Sequence, residues 1–186
     1  MTSAASVGGD ERLRLFLGLR VPERWGLAVA RWQEQELGGG RIVPREHLHV
    51  TLAFLGSRPR GDLPAVVGAL ADAVVAAAER PVLEVERYRE TRAAGMLVLR
   101  DEGGRATALA GDLQERLERL GVYRREARPW LPHITVLRYR RPPRLRPPLP
   151  GAGTLVPSDA AAYLSRLHPS GARYEVLHLC SLPDPK

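Results

Sequence analysis

The chain has 186 residues, 44% of them hydrophobic, enough for one packed domain or two small halves sharing a core, and its single cysteine, Cys180, excludes an internal disulfide and a cysteine-built zinc site. No run of about 18 apolar residues is present, and residues 1–10 lack the charged start and apolar middle of a signal peptide, so neither a membrane span nor a membrane partner is expected and the cytoplasm is the expected location. The formal charge of +7 points to an anionic partner, and with Lys186 the only lysine the basic side chains are nearly all arginine, which forks onto phosphate through two parallel hydrogen bonds.

Residues 1–11 read as a flexible N-terminal tail, and 12–182 as a single bilobal domain. From Arg12 to Arg20 the pattern alternates: Leu13, Leu15, Leu17 and Leu19 fall on one face, and Arg12, Arg14, Phe16 and Gly18 on the other, which predicts a strand. Pro22 is suited to the first turn of a helix; Trp25, Ala28, Val29 and Trp32 form its apolar stripe, and Gly38–Gly40 end it. Residues 42–44 form a short extended piece, and 47–55 a strand stopped by Gly56. Asp62 is placed to cap a helix whose face is Val66, Leu70, Val74 and Ala77, with Pro81 as its breaker. Strands are expected over 82–87 and 96–99, a turn at Asp101–Gly104, and a third helix along Leu109, Leu113, Leu117 and Leu120 that ends at Gly121. Residues 133–139 make another strand. Residues 141–153 are rich in proline and arginine and predict an irregular loop. A strand within 155–167 and a closing strand over 174–181 complete the chain. About seven strands and three helices without strict alternation predict an α+β fold.

Two stretches share one form: His49-Val50-Thr51-Leu52 and Pro132-His133-Ile134-Thr135-Val136-Leu137-Arg138. In an extended strand, side chains alternate faces, so His49 and Thr51 share a front, as do His133 and Thr135. Val50, Leu52, Ile134 and Val136 form apolar backs. Side by side, the two fronts offer two proton carriers and two hydroxyl donors, equipment for a phosphate that gains a proton on one side and loses one on the other. Neither the residues nor their spacing says which histidine is acid and which is base. Arg138 lies at an odd offset from His133, so an ideal strand turns it away and a bulge or a bend in the strand would be needed to bring it to the front. His47 and His49 could grip a metal from one strand face, but no carboxylate-rich motif accompanies them, and no metal or cofactor is expected. Phe16 and Trp130 are the aromatic candidates for stacking a base. Arg124, Arg125, Arg128, Arg138, Arg140, Arg141, Arg144 and Arg146 crowd around His133 in the sequence, and the loop over 140–150 is either a path for a phosphate backbone or a plain linker.

The two motifs, with the flanking Ala53-Phe54-Leu55-Gly56, closely resemble the paired signatures of the 2H phosphoesterase superfamily, in particular its RNA 2′,3′-cyclic phosphodiesterase (2′-5′ RNA ligase) branch. Arg14–Leu19 is similar to the family's opening strand, and Tyr163–Leu167 with Ser170–Tyr174 to its closing segment. The resemblance implies a bilobal α+β fold: two pseudo-symmetric lobes whose antiparallel sheets line a central cleft, with helices outside. It implies a metal-independent hydrolase that opens a 2′,3′-cyclic phosphate at an RNA end to a 2′-phosphate, acts as a monomer, and has a related 2′-5′ ligation activity. It also implies His49 as proton donor, His133 as proton acceptor, and Arg138 near the phosphate. Another nucleotide substrate of the same superfamily, or a non-catalytic RNA-binding module, is the alternative.

Overall fold

The computed structural model describes residues 11–169 and 171–183. The N-terminal tail expected over 1–11 lies outside them except for Glu11, as does Ser170. The alternating leucines form β1 (Arg12–Arg20), and α1 (Glu23–Glu36) starts one residue after Pro22. Trp25, Val29 and Trp32 bury the expected stripe of α1, joined by Gln33. A two-residue β2 (Arg41–Ile42) precedes a 3-10 turn over Arg45–His47 and the long first motif strand, β3 (His49–Pro59). α2 (Leu63–Ala76) packs Val66, Leu70 and Val74 inward. Asp62 sits at its start but makes no capping bond; its carboxylate accepts from Arg58 Nε at 3.1 Å instead.

The strands expected over 82–87 and 96–99 are longer, β4 (Val82–Glu90) and β5 (Ala94–Glu102). The turn between β5 and α3 (Arg105–Arg119) runs through Gly103 and Gly104, both at positive φ, where glycine lacks the Cβ penalty. Asp101, at that turn, caps α3 by accepting from the backbone N–H groups of Ala106 at 3.1 Å and Thr107 at 2.8 Å. The second motif strand is β6 (His133–Arg138), followed by an irregular run to β7 (Asp159–Arg166) and β8 (Arg173–Ser181).

Two four-stranded antiparallel sheets result, ordered β3-β1-β7-β8 and β2-β6-β5-β4. Neither is built from one half of the chain: the C-terminal β7 and β8 complete the first, and β2 reaches into the second. One buried cluster joins Leu17 and Leu52 of the first sheet, Val29 and Leu113 of the helices, and Leu97 and Ile134 of the second sheet. Each such fully buried aliphatic side chain contributes about 1.5–3 kcal/mol, so the apolar backs of the motif strands hold the two sheets on a shared core. Among the described residues no helix is long and apolar enough to cross a membrane.

The proline-rich run is irregular but well anchored to α1 and β4. The indole of Trp32 donates to the Pro148 carbonyl at 2.7 Å and that of Trp25 to the Gly153 carbonyl at 3.1 Å. The Glu90 carboxylate accepts from the Arg144 and Leu145 backbone at 2.9 and 2.8 Å.

Gly68 lies exposed inside α2, and a Cβ there would meet no atom within 4 Å. Gly68→Ala should therefore stabilise the protein by about 0.5–1 kcal/mol, through helix propensity and a less free unfolded chain. A higher urea midpoint at unchanged slope is the expected reading; an unchanged or lower midpoint counts against it.

Candidate active site

β3 and β6 come together where the two sheets meet, and their polar fronts line one cleft of about 420 Å³. His49, Thr51, His133 and Thr135 all face it. Each histidine is oriented in the same way. His49 Nδ1 lies 2.7 Å from the His47 carbonyl, and His133 Nδ1 lies 2.8 Å from the Leu131 carbonyl. A carbonyl can only accept, so in both rings Nδ1 carries the hydrogen and Nε2 is left as the atom that takes or gives a proton.

Arg138 also lines the cleft. In the β5·β6 pairing Met96 lies opposite Thr135 and Gly95 opposite Leu137, so Val136 is the extra residue of a bulge. Val136 and Leu137 are both buried, and the alternation resumes one residue late, which returns Arg138 to the front. β3 does the same. Gly18 lies opposite Thr51 and Leu17 opposite Ala53, so Leu52 is extra. Leu52 and Ala53 are buried, and Phe54 turns into the cleft, 48% exposed. Phe54 and Arg138 thus hold equivalent places, each five residues after its histidine. Strict alternation hides Phe54 as it hides Arg138.

The two aromatic candidates for base stacking sit differently from expectation. Phe16 borders the cleft but is only 3% exposed. It is stacked on Tyr163 at 4.6 Å, edged by Tyr174 at 4.8 Å, and lies 4.7 Å from the His49 ring. With its faces occupied it backs His49 and leaves no open ring for a base. Trp130 lies outside the cleft lining: its indole N–H donates to the Thr51 carbonyl at 3.0 Å and its ring packs on the main core. The exposed ring is that of Phe54, with the Arg14 guanidinium 4.8 Å from its centre.

The arginines that crowd around His133 in the sequence do not converge in space. Of them only Arg138 lines the cleft. Arg125 pairs with Glu118 and Arg128 with Glu126, while Arg146 lines a separate hollow beside Tyr88. The positive wall comes instead from Arg14 on β1 and Arg41 on β2, distant in sequence, together with Arg138. Sequence reasoning missed Arg14, Arg41 and Phe54. The signal for Arg14 was its place on the same face of β1 as Phe16 and Gly18. Among the described residues no group of three or more His, Cys, Asp or Glu side chains gathers as a metal site.

Burial holds the His49 pKa down, to about 4 against an ordinary 6.5; the hydrogen bond to the His47 carbonyl opposes this, and the charges of His133, Arg138 and His47 add to it. The neutral ring is therefore favoured at neutral pH. The unfolded chain binds this proton first as pH falls. Stability from the neutral ring is full above about pH 6.5 and is lost progressively down to about pH 4, by at most about 3 kcal/mol. His49→Gln should reduce that loss: between pH 7 and pH 4.5 the variant's urea midpoint should fall less than that of the parent. Parallel falls would show that His49 is not the group held neutral.

Residues 21–170 match the family described as the 2′-5′ RNA ligase superfamily. The chain belongs to that superfamily. An RNA 2′,3′-cyclic phosphodiesterase of Thermus thermophilus is 32% identical over 183 residues, covering 91% of this chain and 90% of the relative. One from Methanocaldococcus jannaschii is 24% identical over 174 residues, covering 89% and 98%. Among solved structures, Escherichia coli LigT in its apo form superposes with a TM-score of 0.77 at 24% identity, covering 94% of this chain and all of LigT. The shared fold is the α+β arrangement of two antiparallel sheets about a cleft, as the motif resemblance implied. Within this superfamily member, the paired His-x-Thr strands are the parts that face each other across the cleft.

Proposed function

We propose that this protein is an RNA 2′,3′-cyclic phosphodiesterase that hydrolyses a terminal 2′,3′-cyclic phosphate to a 2′-phosphate by acid–base catalysis between His49 and His133. The observation that carries the reading is the matched anchoring of two imidazoles by upstream carbonyls on the two motif strands of one cleft. His133 Nε2 takes a proton from the attacking water while the water oxygen bonds to phosphorus. The bond from phosphorus to the ribose 3′ oxygen breaks, and His49 Nε2 delivers a proton to that oxygen. The hydroxyls of Thr51 and Thr135 and the guanidinium of Arg138 stabilise charge building on the non-bridging oxygens. Phe54 offers the face on which the terminal base stacks. His49, held neutral by burial, acquires its proton as the substrate anion enters, because a nearby negative charge favours the imidazolium. With a 5′-hydroxyl in place of water the roles stay the same: His133 takes the proton of the 5′ oxygen as it bonds to phosphorus, the bond to the 3′ oxygen breaks, and His49 protonates that oxygen, which joins the two ends 2′-5′.

LigT has been solved in complex with 3′-AMP, and the two curated relatives are phosphodiesterases of this class by name, which supports an RNA-end substrate. The test is incubation with each nucleoside 2′,3′-cyclic phosphate, with and without EDTA, and identification of the product. The expected product is the 2′-phosphate at a rate that chelation leaves unchanged. Absence of turnover, or a 3′-phosphate product, overturns the reading.

A further inference from the structure

The motif strands share a device beyond their histidines and threonines. In each, the residue three past the histidine is the extra residue of a bulge, Leu52 in β3 and Val136 in β6. A bulge disrupts the regular ladder, and a buried carbonyl there needs another donor. In both strands a buried glutamine amide donates to the carbonyl of the extra residue, in β6 alongside the Val43 N–H, which donates to the same Val136 carbonyl at 3.1 Å. Gln114 of α3 donates from Nε2 to the Leu52 carbonyl at 2.8 Å. Gln33 of α1 donates from Nε2 to the Val136 carbonyl, also at 2.8 Å, and to the Val43 carbonyl at 3.1 Å. The braces cross between the sheets. α1 follows β1 of the first sheet but holds β6 of the second; α3 follows β5 of the second but holds β3 of the first.

Stability alone is a poor account of these side chains. Gln33 is fully buried, and its Oε1 has no hydrogen-bond partner among the described residues. An unmatched buried acceptor costs about 1–3 kcal/mol, so methionine, similar in size and apolar, suits a core better. What the amides supply is the bulge, and the bulge decides what enters the cleft. Without it, alternation turns the residue five past each histidine to the opposite face of its strand. With it, Arg138 and Phe54 line the site.

We infer that Gln33 and Gln114 are positioning residues of the active site, Gln33 acting through Arg138 on the phosphate and Gln114 acting through Phe54 on the base. The inference rests on the proposed reading of the cleft as a phosphate and nucleobase site. Two double-mutant cycles test it. Gln33→Met should weaken the binding of inorganic phosphate, measured by calorimetry, about tenfold, the scale of one charge-assisted hydrogen bond. It should cost nothing further in the Arg138→Ala background. Gln114→Met should leave phosphate affinity within about twofold and flatten the differences in KM among the four nucleoside 2′,3′-cyclic phosphates, an effect absent in the Phe54→Ala background. Should a methionine variant not fold, Gln33→Asn and Gln114→Asn, which keep the amide but shorten its reach, carry the same comparison. Losses that simply add, or a Gln33 variant with full phosphate affinity, overturn the inference. A parent protein that binds phosphate but turns over no cyclic phosphate overturns the proposed function instead, and leaves the Gln33–Arg138 cycle readable.

Discussion

His49→Ala and His133→Ala are each expected to lower turnover of a nucleoside 2′,3′-cyclic phosphate at least about a hundredfold, the low end for loss of a general acid or base. Neither substitution should unfold the protein, because the strands are held by their backs, where Val50 and Ile134 are fully buried. Far-ultraviolet circular dichroism and the urea midpoint at neutral pH check that condition. The two variants should also differ in one respect. A phosphodiester with a nitrophenolate leaving group needs no proton on departure, so it should be cleaved by His49→Ala with much of the loss restored, whereas His133→Ala, lacking the base, should stay slow. Near-parental rates in either variant on the cyclic substrate would refute two-histidine catalysis. Rescue in His133→Ala instead of His49→Ala would exchange the roles.

Gly18→Val should cost turnover nearly as much without touching a reactive group. Gly18 lies opposite Thr51 on the front of β1, beside His49. A Cβ there would stand 2.9 Å from the Val50 carbonyl oxygen and 3.3 Å from His49 Cδ2. The carbonyl is backbone and cannot swing aside, so either β1 and β3 separate or the imidazole shifts. Displacement of a catalytic group by about 1 Å can cost on the order of a hundredfold in rate. The loss should fall on kcat more than on KM, since Arg138 stands on β6 in the other sheet. A fully active Gly18→Val protein would mean that the His49 ring is not held to that tolerance.

Much of this site could be read directly from the chain. His49, Thr51, His133 and Thr135 follow from alternation alone, because the first three residues of each motif strand are regular and their apolar partners are fully buried. The helices followed from leucine and valine spacing, and the loop from its prolines. What misled were features without a periodic signature. The arginines near His133 looked like one patch, yet Arg125 and Arg128 pair with Glu118 and Glu126, and of the group only Arg138 lines the cleft. Trp130 looked like a base platform, yet its N–H meets a strand carbonyl that only the packed sheets present to it. Phe16 has the right face but is enclosed by Tyr163 and Tyr174, which arrive from strands more than a hundred residues away.

The sequence by itself determined the chemistry: two histidines and two threonines on polar strand fronts, backed by apolar residues that must be buried. A period of two is a local property of the backbone, and it needs no partner to be visible. Only the tertiary structure decided which further side chains line the cleft. Phe54 and Arg138 reach the cleft through bulges, and a bulge is defined by the neighbouring strand against which one residue is extra. The amides that donate at those bulges come from helices that follow strands of the opposite sheet, contacts that no local pattern records.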